Sequence, residues 1–185
     1  MLTPVKKTLL LYAHPNAHSS RANRRLVAEL KGLPNLTVHS LYEQYPEFYI
    51  DVAAEQRLLR EHQLIIWQHP LYWYSMPPLM KLWIDQVLAF DFAYGPEGKA
   101  LHGKQLLLSL TVGGAKGAYR PGEAHGHPLA TYLAPYEQTA RFCGMEWQLP
   151  KVFYEALGAD DVSLEAHADE LRAAIETLAL IRREV

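Results

Sequence analysis

The chain has 185 residues, 49% hydrophobic and 21% charged, which suits one globular domain over 1–185 with a sizeable core. A formal net charge of -2 leaves no basic excess for nucleic acid, and the lone Cys143 excludes an intrachain disulfide and a cysteine-based zinc site while suiting a reducing cytoplasm. No segment is long and apolar enough to span a membrane, and no signal-peptide pattern opens the chain.

Taken in order, the apolar run TLLLYA (Thr8 to Ala13) predicts a buried parallel strand. Ser19 or Ser20 caps a helix reaching about Leu30, with Leu26, Val27 and Leu30 on one face, before Gly32, Pro34 and Asn35 end it. Leu36 to His39 reads as a second strand and the tyrosine-rich LYEQYPEFYID as a loop. A helix from Val52 to about His62 leads into a third strand, Leu64 to Gln68. Pro77 or Pro78 starts a helix that is apolar nearly all round, which predicts a second buried side such as a dimer contact. Lys104 to Thr111 is a fourth strand, about Leu129 to Phe142 a helix, and Trp147 to Tyr154 a fifth strand despite Pro150. The last helix is predicted from Ser163, as cap, to about Arg183. Five strand–helix alternations imply a parallel sheet with helices on both faces. The flavodoxin-like three-layer order 2-1-3-4-5 fits best, with ligands beyond the carboxyl ends of the strands.

Three loops therefore carry the chemistry. HPNAHSSRAN (residues 14–23) ends at a helix N-terminus, where backbone N–H groups favour a phosphate; Ser19, Ser20 and Asn23 add neutral donors, and Arg21 or His14 a charge. Taken alone, Ser20 is a helix cap, and the loop lacks a Gly-rich phosphate fingerprint. In HPLYWYSMP (residues 69–77), Tyr72, Trp73 and Tyr74 are consecutive and cannot all face one core; a flat aromatic ligand explains rings held at a pocket edge. In TVGGAKGAYRPGEAHGHP (residues 111–128), Gly113 and Gly114 allow close backbone approach, while Tyr119 and His125 supply polar groups that handle protons. His125 and His127 have no third ligand at metal-binding spacing, so no metal is expected.

Together these stretches resemble the flavodoxin-like NAD(P)H:quinone oxidoreductases, which include DT-diaphorase and the bacterial ancillary flavoproteins of glutathione-gated potassium efflux systems. The resemblance runs through YAHP and AN (Tyr12 to Pro15, Ala22, Asn23), SLYEQYPEFYID (Ser40 to Asp51), AAEQRLLREH (Ala53 to His62), WQHPLYWYSMPPLMKLWIDQVL (Trp67 to Leu88), FAYG (Phe92 to Gly95), LHGK (Leu101 to Lys104) and TVGG (Thr111 to Gly114). Leu41 to His62 and Trp67 to Leu88 look closest to the potassium-efflux proteins.

The resemblance implies that His14 and Ser20, Arg21, Ala22 and Asn23 hold the phosphate and ribityl chain of a flavin. It implies that Leu71, Tyr72, Trp73 and Tyr74 pass beneath the flavin ring, and that Thr111, Val112, Gly113 and Gly114 touch its pyrimidine side. Tyr119 and His125 would support the charge of reduced flavin at DT-diaphorase-like spacing; the potassium-efflux type does not keep the tyrosine. Val112 departs from the Thr-Thr-Gly-Gly pattern and removes a hydroxyl, whose place a backbone donor could take. The implied cofactor is FMN, with FAD the alternative, and the implied reaction is hydride transfer from NAD(P)H through flavin to a quinone in a homodimer with interfacial sites. Two other readings stand beside it: a cytoplasmic regulatory subunit docked on a membrane potassium/proton antiporter at the inner face, and a flavodoxin-like one-electron carrier, which the weak net charge does not favour.

Overall fold

The computed structural model describes residues 5–180. Strand β1 (Thr8–Tyr12) leads through loop one to α1 (Arg21–Leu30); β2 (Leu36–Ser40) is followed by α2 (Leu41–Gln44) and α3 (Val52–Glu61). Then come β3 (Leu64–Pro70), α4 (Pro78–Val87), β4 (Gln105–Thr111), a 3-10 turn at Lys116–Ala118, α5 (Leu129–Phe142), the short strands β5 (Glu146–Trp147) and β6 (Lys151–Phe153), and α6 (Asp161–Ala179). The sheet order is β2-β1-β3-β4-β5, with β6 also paired to β4 and every pairing parallel. This is the order expected from the sequence.

Each central strand feeds two cores, because successive side chains point to opposite faces. Leu9, Leu11, Ile65, Trp67, Leu106 and Leu108 pack with buried residues of α3, α4 and α5. Leu10, Ile66 and Leu107 meet Val27 and Leu30 of α1 and Leu171 and Ile175 of α6. Sandwiching on both sides is why these strands read as unbroken apolar runs rather than alternating ones.

Several boundaries differ from expectation. Part of the tyrosine-rich loop is helical: α2 closes with Tyr45 N–H bonded to the Leu41 carbonyl. The fifth strand is two pieces, broken before Lys151, where Pro150 has no N–H to give a ladder. Helix α6 is capped by Asp160, whose carboxylate accepts from Ser163 N–H at 2.7 Å, so Ser163 is the recipient of the cap rather than the cap. The expected end near Arg183 lies outside the described residues.

Helix α4 is less uniformly apolar than its sequence suggests. Leu79, Met80, Trp83 and Val87 are buried in its own core, and Lys81, Asp85 and Gln86 are exposed. Only Leu82 and Ile84 remain half-buried. The fixed point behind α4 is Glu55, 1% exposed. Its carboxylate accepts from His39 Nε2 at 2.8 Å, Trp83 Nε1 at 2.7 Å and the Tyr45 hydroxyl. Burial pushes its pKa up, but the three hydrogen bonds outweigh this and hold it below the usual carboxylate range. The LHGK block is structural too: Lys104 Nζ donates to the carbonyls of Arg60 (3.1 Å) and His62 (2.6 Å) at the end of α3.

Candidate functional site

Loop one leaves β1 and folds around Asn16, whose carbonyl accepts from Ser19 and Ser20 N–H at 3.1 and 3.2 Å. Asn16 N–H donates to His14 Nδ1 at 3.0 Å, which puts the ring proton of a neutral imidazole on Nε2. Burial lowers the His14 pKa, so the neutral form is the one favoured. Helix α1 then begins without a side-chain cap: the Ser20 hydroxyl accepts instead from Asn23 Nδ2 at 3.2 Å. The first N–H groups of an α-helix have no partner inside it, so those of α1 stay free for a ligand.

They open onto a cavity of about 450 Å³ at the carboxyl ends of β1, β3 and β4. Its lining includes His14, Ser20, Arg21, Ala22 and Asn23 from loop one, Leu71 and Tyr72 after β3, and Thr111, Val112 and Gly113 after β4. Asn16 joins them from within loop one, and Ala156 and Leu157, from the loop before α6, come without a signal in the sequence motifs. Asn23, 2% exposed, ties the floor together: its Nδ2 donates to Thr111 Oγ1 at 2.8 Å and its Oδ1 accepts from Gln68 Nε2 at 2.8 Å. Gln68 went unread as a site residue because a glutamine inside an apolar run carries no motif.

The sequence offers Arg21 or His14 as a charge at the phosphate end. His14 is held neutral, as above. Arg21 lines the cavity, but its guanidinium donates to the Ala159 carbonyl and to Asp161 Oδ1 at 2.7 Å, clasping α1 to the loop before α6. The donor set is thus mostly neutral hydroxyl, imidazole and backbone N–H. Val112 keeps its place in the lining, but the residue is 2% exposed and its N–H is taken by the Phe153 carbonyl at 2.9 Å. Gly113 and Gly114 are left as the backbone donors of that stretch.

The three consecutive aromatics go three ways. Tyr72 and Ser75 exchange backbone hydrogen bonds, each 2.9 Å, across a two-residue turn. Trp73 and Tyr74 both have positive φ, 47° and 63°. That is the sign pattern of a type I′ turn, normally built from Asn-Gly, and it costs a side-chain-bearing residue about 1–2 kcal/mol at each position. Tyr72 turns into the cavity, with its ring 6.2 Å from that of His14. Trp73 projects outward, 93% exposed. Tyr74 packs on Tyr132, rings 4.6 Å apart. Strain of this kind persists only where the surrounding framework holds it.

Beyond the double glycine the structure brings Tyr119 and His125 face to face, ring centroids 4.1 Å apart and planes at 16°. The Tyr74 hydroxyl lies 3.4 Å from His125 Nδ1. A Cβ on Gly114 would sit 2.4 Å from His125 Nε2, so glycine there is what lets the imidazole lie against the backbone. At Gly113 the nearest protein atom to an added Cβ is Leu157 Cδ1 at 3.7 Å, an ordinary contact; the chain itself does not require glycine at this cavity wall. Burial raises the Tyr119 pKa, so its hydroxyl keeps its proton through neutral pH. Trp73, Tyr74, Gly114, Tyr119 and His125 all lie beside the cavity rather than in its lining. Among the described residues no group of three His, Cys, Asp or Glu is placed to hold a metal, and no helix is long and apolar enough to cross a membrane.

Comparison with known proteins places this arrangement in context. The flavodoxin-like fold family (Flavodoxin_2) matches residues 6–176. The glutathione-regulated potassium-efflux system ancillary protein KefG of Yersinia enterocolitica is 47% identical over 168 residues, 91% of each chain. General stress protein 14 of Treponema denticola, solved in complex with FMN, superposes with a TM-score of 0.87 at 38% identity, covering 93% of this chain and 99% of that one. An NADPH-quinone reductase from P. pentosaceus superposes with a TM-score of 0.83 at 28% identity, covering 96% and 99%.

Proposed function

The chain belongs to the flavodoxin-like fold family, and from that premise we propose that it binds FMN in the cavity at the start of α1 and acts as an NAD(P)H:quinone oxidoreductase. The observation that carries this reading is the uncapped N-terminus of α1 opening into that cavity beside a strained aromatic turn. The donor set fits the group: neutral donors and helix N–H groups suit a phosphate, and the room at Gly113 suits a flat ring laid along the backbone. When bound, the flavin supplies hydride chemistry, accepting from a nicotinamide and delivering to a quinone.

The protein's own work is positioning and proton handling. Ser19, Ser20, His14 Nε2 and the first turn of α1 hold the phosphate end. The backbone from Leu71 to Tyr74 and from Gly113 to Gly114 frames the ring. Tyr119 keeps its hydroxyl proton available, with His125 stacked on it as the neighbouring charge acceptor. FAD remains the alternative cofactor.

Spectroscopy and rapid mixing test the reading. The purified protein should take up FMN on titration, lose the flavin's visible band with NADH or NADPH, and regain it with a quinone. Tyr119→Phe and His125→Ala should each slow the first step roughly tenfold without changing flavin content. A protein that takes up neither FMN nor FAD would sink the proposal.

A second reading is favoured by the names of the relatives: an ancillary subunit on a potassium-efflux antiporter, acting by contact at the inner membrane face. Both readings accommodate a homodimer, for which Ile84, Leu88, Tyr94 and Phe142, with the polar Asp85, Gln138 and Thr139 among them, line a groove of about 460 Å³. A variant with a dead flavin site and an intact fold separates them, since only a contact role survives it.

A further inference from the structure

Tyr119 and His125 sit on a long loop, yet their stack is well defined, and the reason lies outside the loop. Tyr132 stands on the first turn of α5, a helix anchored by buried Leu129, Leu133 and Tyr136. Its hydroxyl donates to the His125 carbonyl. Its ring stacks on Tyr74, 4.6 Å between centroids with planes at 29°, and meets Tyr119 edge-on at 6.5 Å. One helix-borne side chain thus touches the aromatic turn after β3 and both members of the pair after β4. Loop four itself contributes short-range backbone bonds, among them His125 N–H to the Ala118 carbonyl at 3.1 Å, and the exposed Arg120–Glu123 ion pair at 2.9 Å, while Tyr154 meets the Tyr119 ring edge-on at 6.0 Å; none of these ties His125 to a helix of the core.

We propose that Tyr132 is a positioning residue that braces His125 and Tyr74 against α5 and so sets the geometry of the Tyr119–His125 pair. Polar groups on loops are held to working precision only when packing and hydrogen bonds from a rigid element lock them. Tyr132 does both, the ring through Tyr74 and the hydroxyl through the His125 carbonyl. The inference rests on the reading of Tyr119 and His125 as the proton-handling pair.

The test uses Tyr132→Phe, which keeps the stack and removes the hydroxyl, and Tyr132→Leu, which removes both. In FMN-loaded protein, Tyr132→Phe should be reduced by NAD(P)H roughly fivefold more slowly and Tyr132→Leu roughly thirtyfold, as one and then two contacts are lost. Flavin content and nicotinamide affinity should stay at wild-type values, while the pH profile of reduction shifts. In the apoprotein, NMR should show the His125 ring signals displaced in both variants. Wild-type His125 signals together with wild-type pH profiles in both variants would overturn the brace. A wild-type protein that binds FMN but is not reduced would instead sink the underlying redox reading, and the His125 signals of the apoprotein would still decide the brace.

Discussion

Helices α1 and α6 lie side by side on one face of the sheet, and their N-termini are joined by the Arg21–Asp161 ion pair. They end differently. At α6 the Asp160 carboxylate caps Ser163 N–H at 2.7 Å, and hydrogen bonding from Ser163 lowers the Asp160 pKa. At α1 the equivalent hydroxyl of Ser20 turns away to Asn23, and the N–H groups face a cavity. A helix that satisfies its own terminus gains about 1 kcal/mol; one that does not has kept an anion site. The difference distinguishes a structural end from a binding end within one fold.

The largest expected effect comes from making α1 resemble α6. Ser20→Asp supplies a carboxylate cap and a negative charge where a phosphate would sit. Apoprotein melting should rise by a few degrees, while FMN affinity falls on the order of a thousandfold, about 4 kcal/mol of like-charge repulsion. Fluorescence titration against FMN checks the second; unchanged affinity would place the phosphate elsewhere.

Acid comes next, and it reaches the other face of the sheet as well as the α6 cap. His69 on β3 stacks on Tyr136 of α5 and is fully buried, and burial pushes its pKa down to about 4. A histidine depressed in the folded state carries stability that is whole above its unfolded value of about 6.5 and is lost as pH falls through about 4, in total about 3 kcal/mol. The Asp160 cap has the same sign but a lower window: it holds above the unfolded carboxylate value and is lost only as pH falls through its lowered folded value. Urea unfolding from pH 7 to pH 4 should show the histidine limb, and His69→Leu should flatten it whatever its effect at neutral pH.

Removing the cap of α6 comes third. Asp160→Ala should lower the melting temperature, with Asp160→Asn restoring most of the loss, and FMN affinity should stay within about twofold of wild type, roughly the scatter of an independent site. Last is the clasp. Arg21→Ala breaks an ion pair whose side chains are 54% and 79% exposed, so stability should change by less than about 1 kcal/mol. FMN affinity should fall less than about fivefold, because the guanidinium already serves Asp161 and the Ala159 carbonyl. A loss of a hundredfold would show that Arg21 leaves the clasp to hold the phosphate.

Much of the architecture was legible because it follows periodicity. TLLLY and LIIWQ are too apolar and too short to be anything but buried strands, and their alternation with amphipathic helices left few topologies. Boundaries were less legible where competing local signals exist. Ser163 and Asp160 are both good caps in sequence, and only the backbone path into α6 selects Asp160. LYEQYP looks like a loop because of its tyrosines, yet one helical turn forms there, with Leu41 and Tyr45 buried in the core.

The site divides the same way. Local spacing by itself determined that a helix N-terminus follows HPNAHSS, that glycines follow β4, and that consecutive rings follow β3, because each is a short-range consequence of residue type. Which groups serve which partner was decided only by the folded chain. Arg21 reads as a candidate charge at the phosphate end, and only the fold brings Asp161, distant in sequence, onto its guanidinium. Val112 reads as a lost hydroxyl, and only the fold shows that its own N–H is taken by the Phe153 carbonyl. Gln68 and Tyr132 carry no motif, and their roles exist only because strands in register and a helix packed across them bring Asn23, Tyr74 and His125 within reach. Hydrogen bonds are short and directional, so competition between partners far apart in the chain is settled by tertiary geometry and leaves no trace in local sequence.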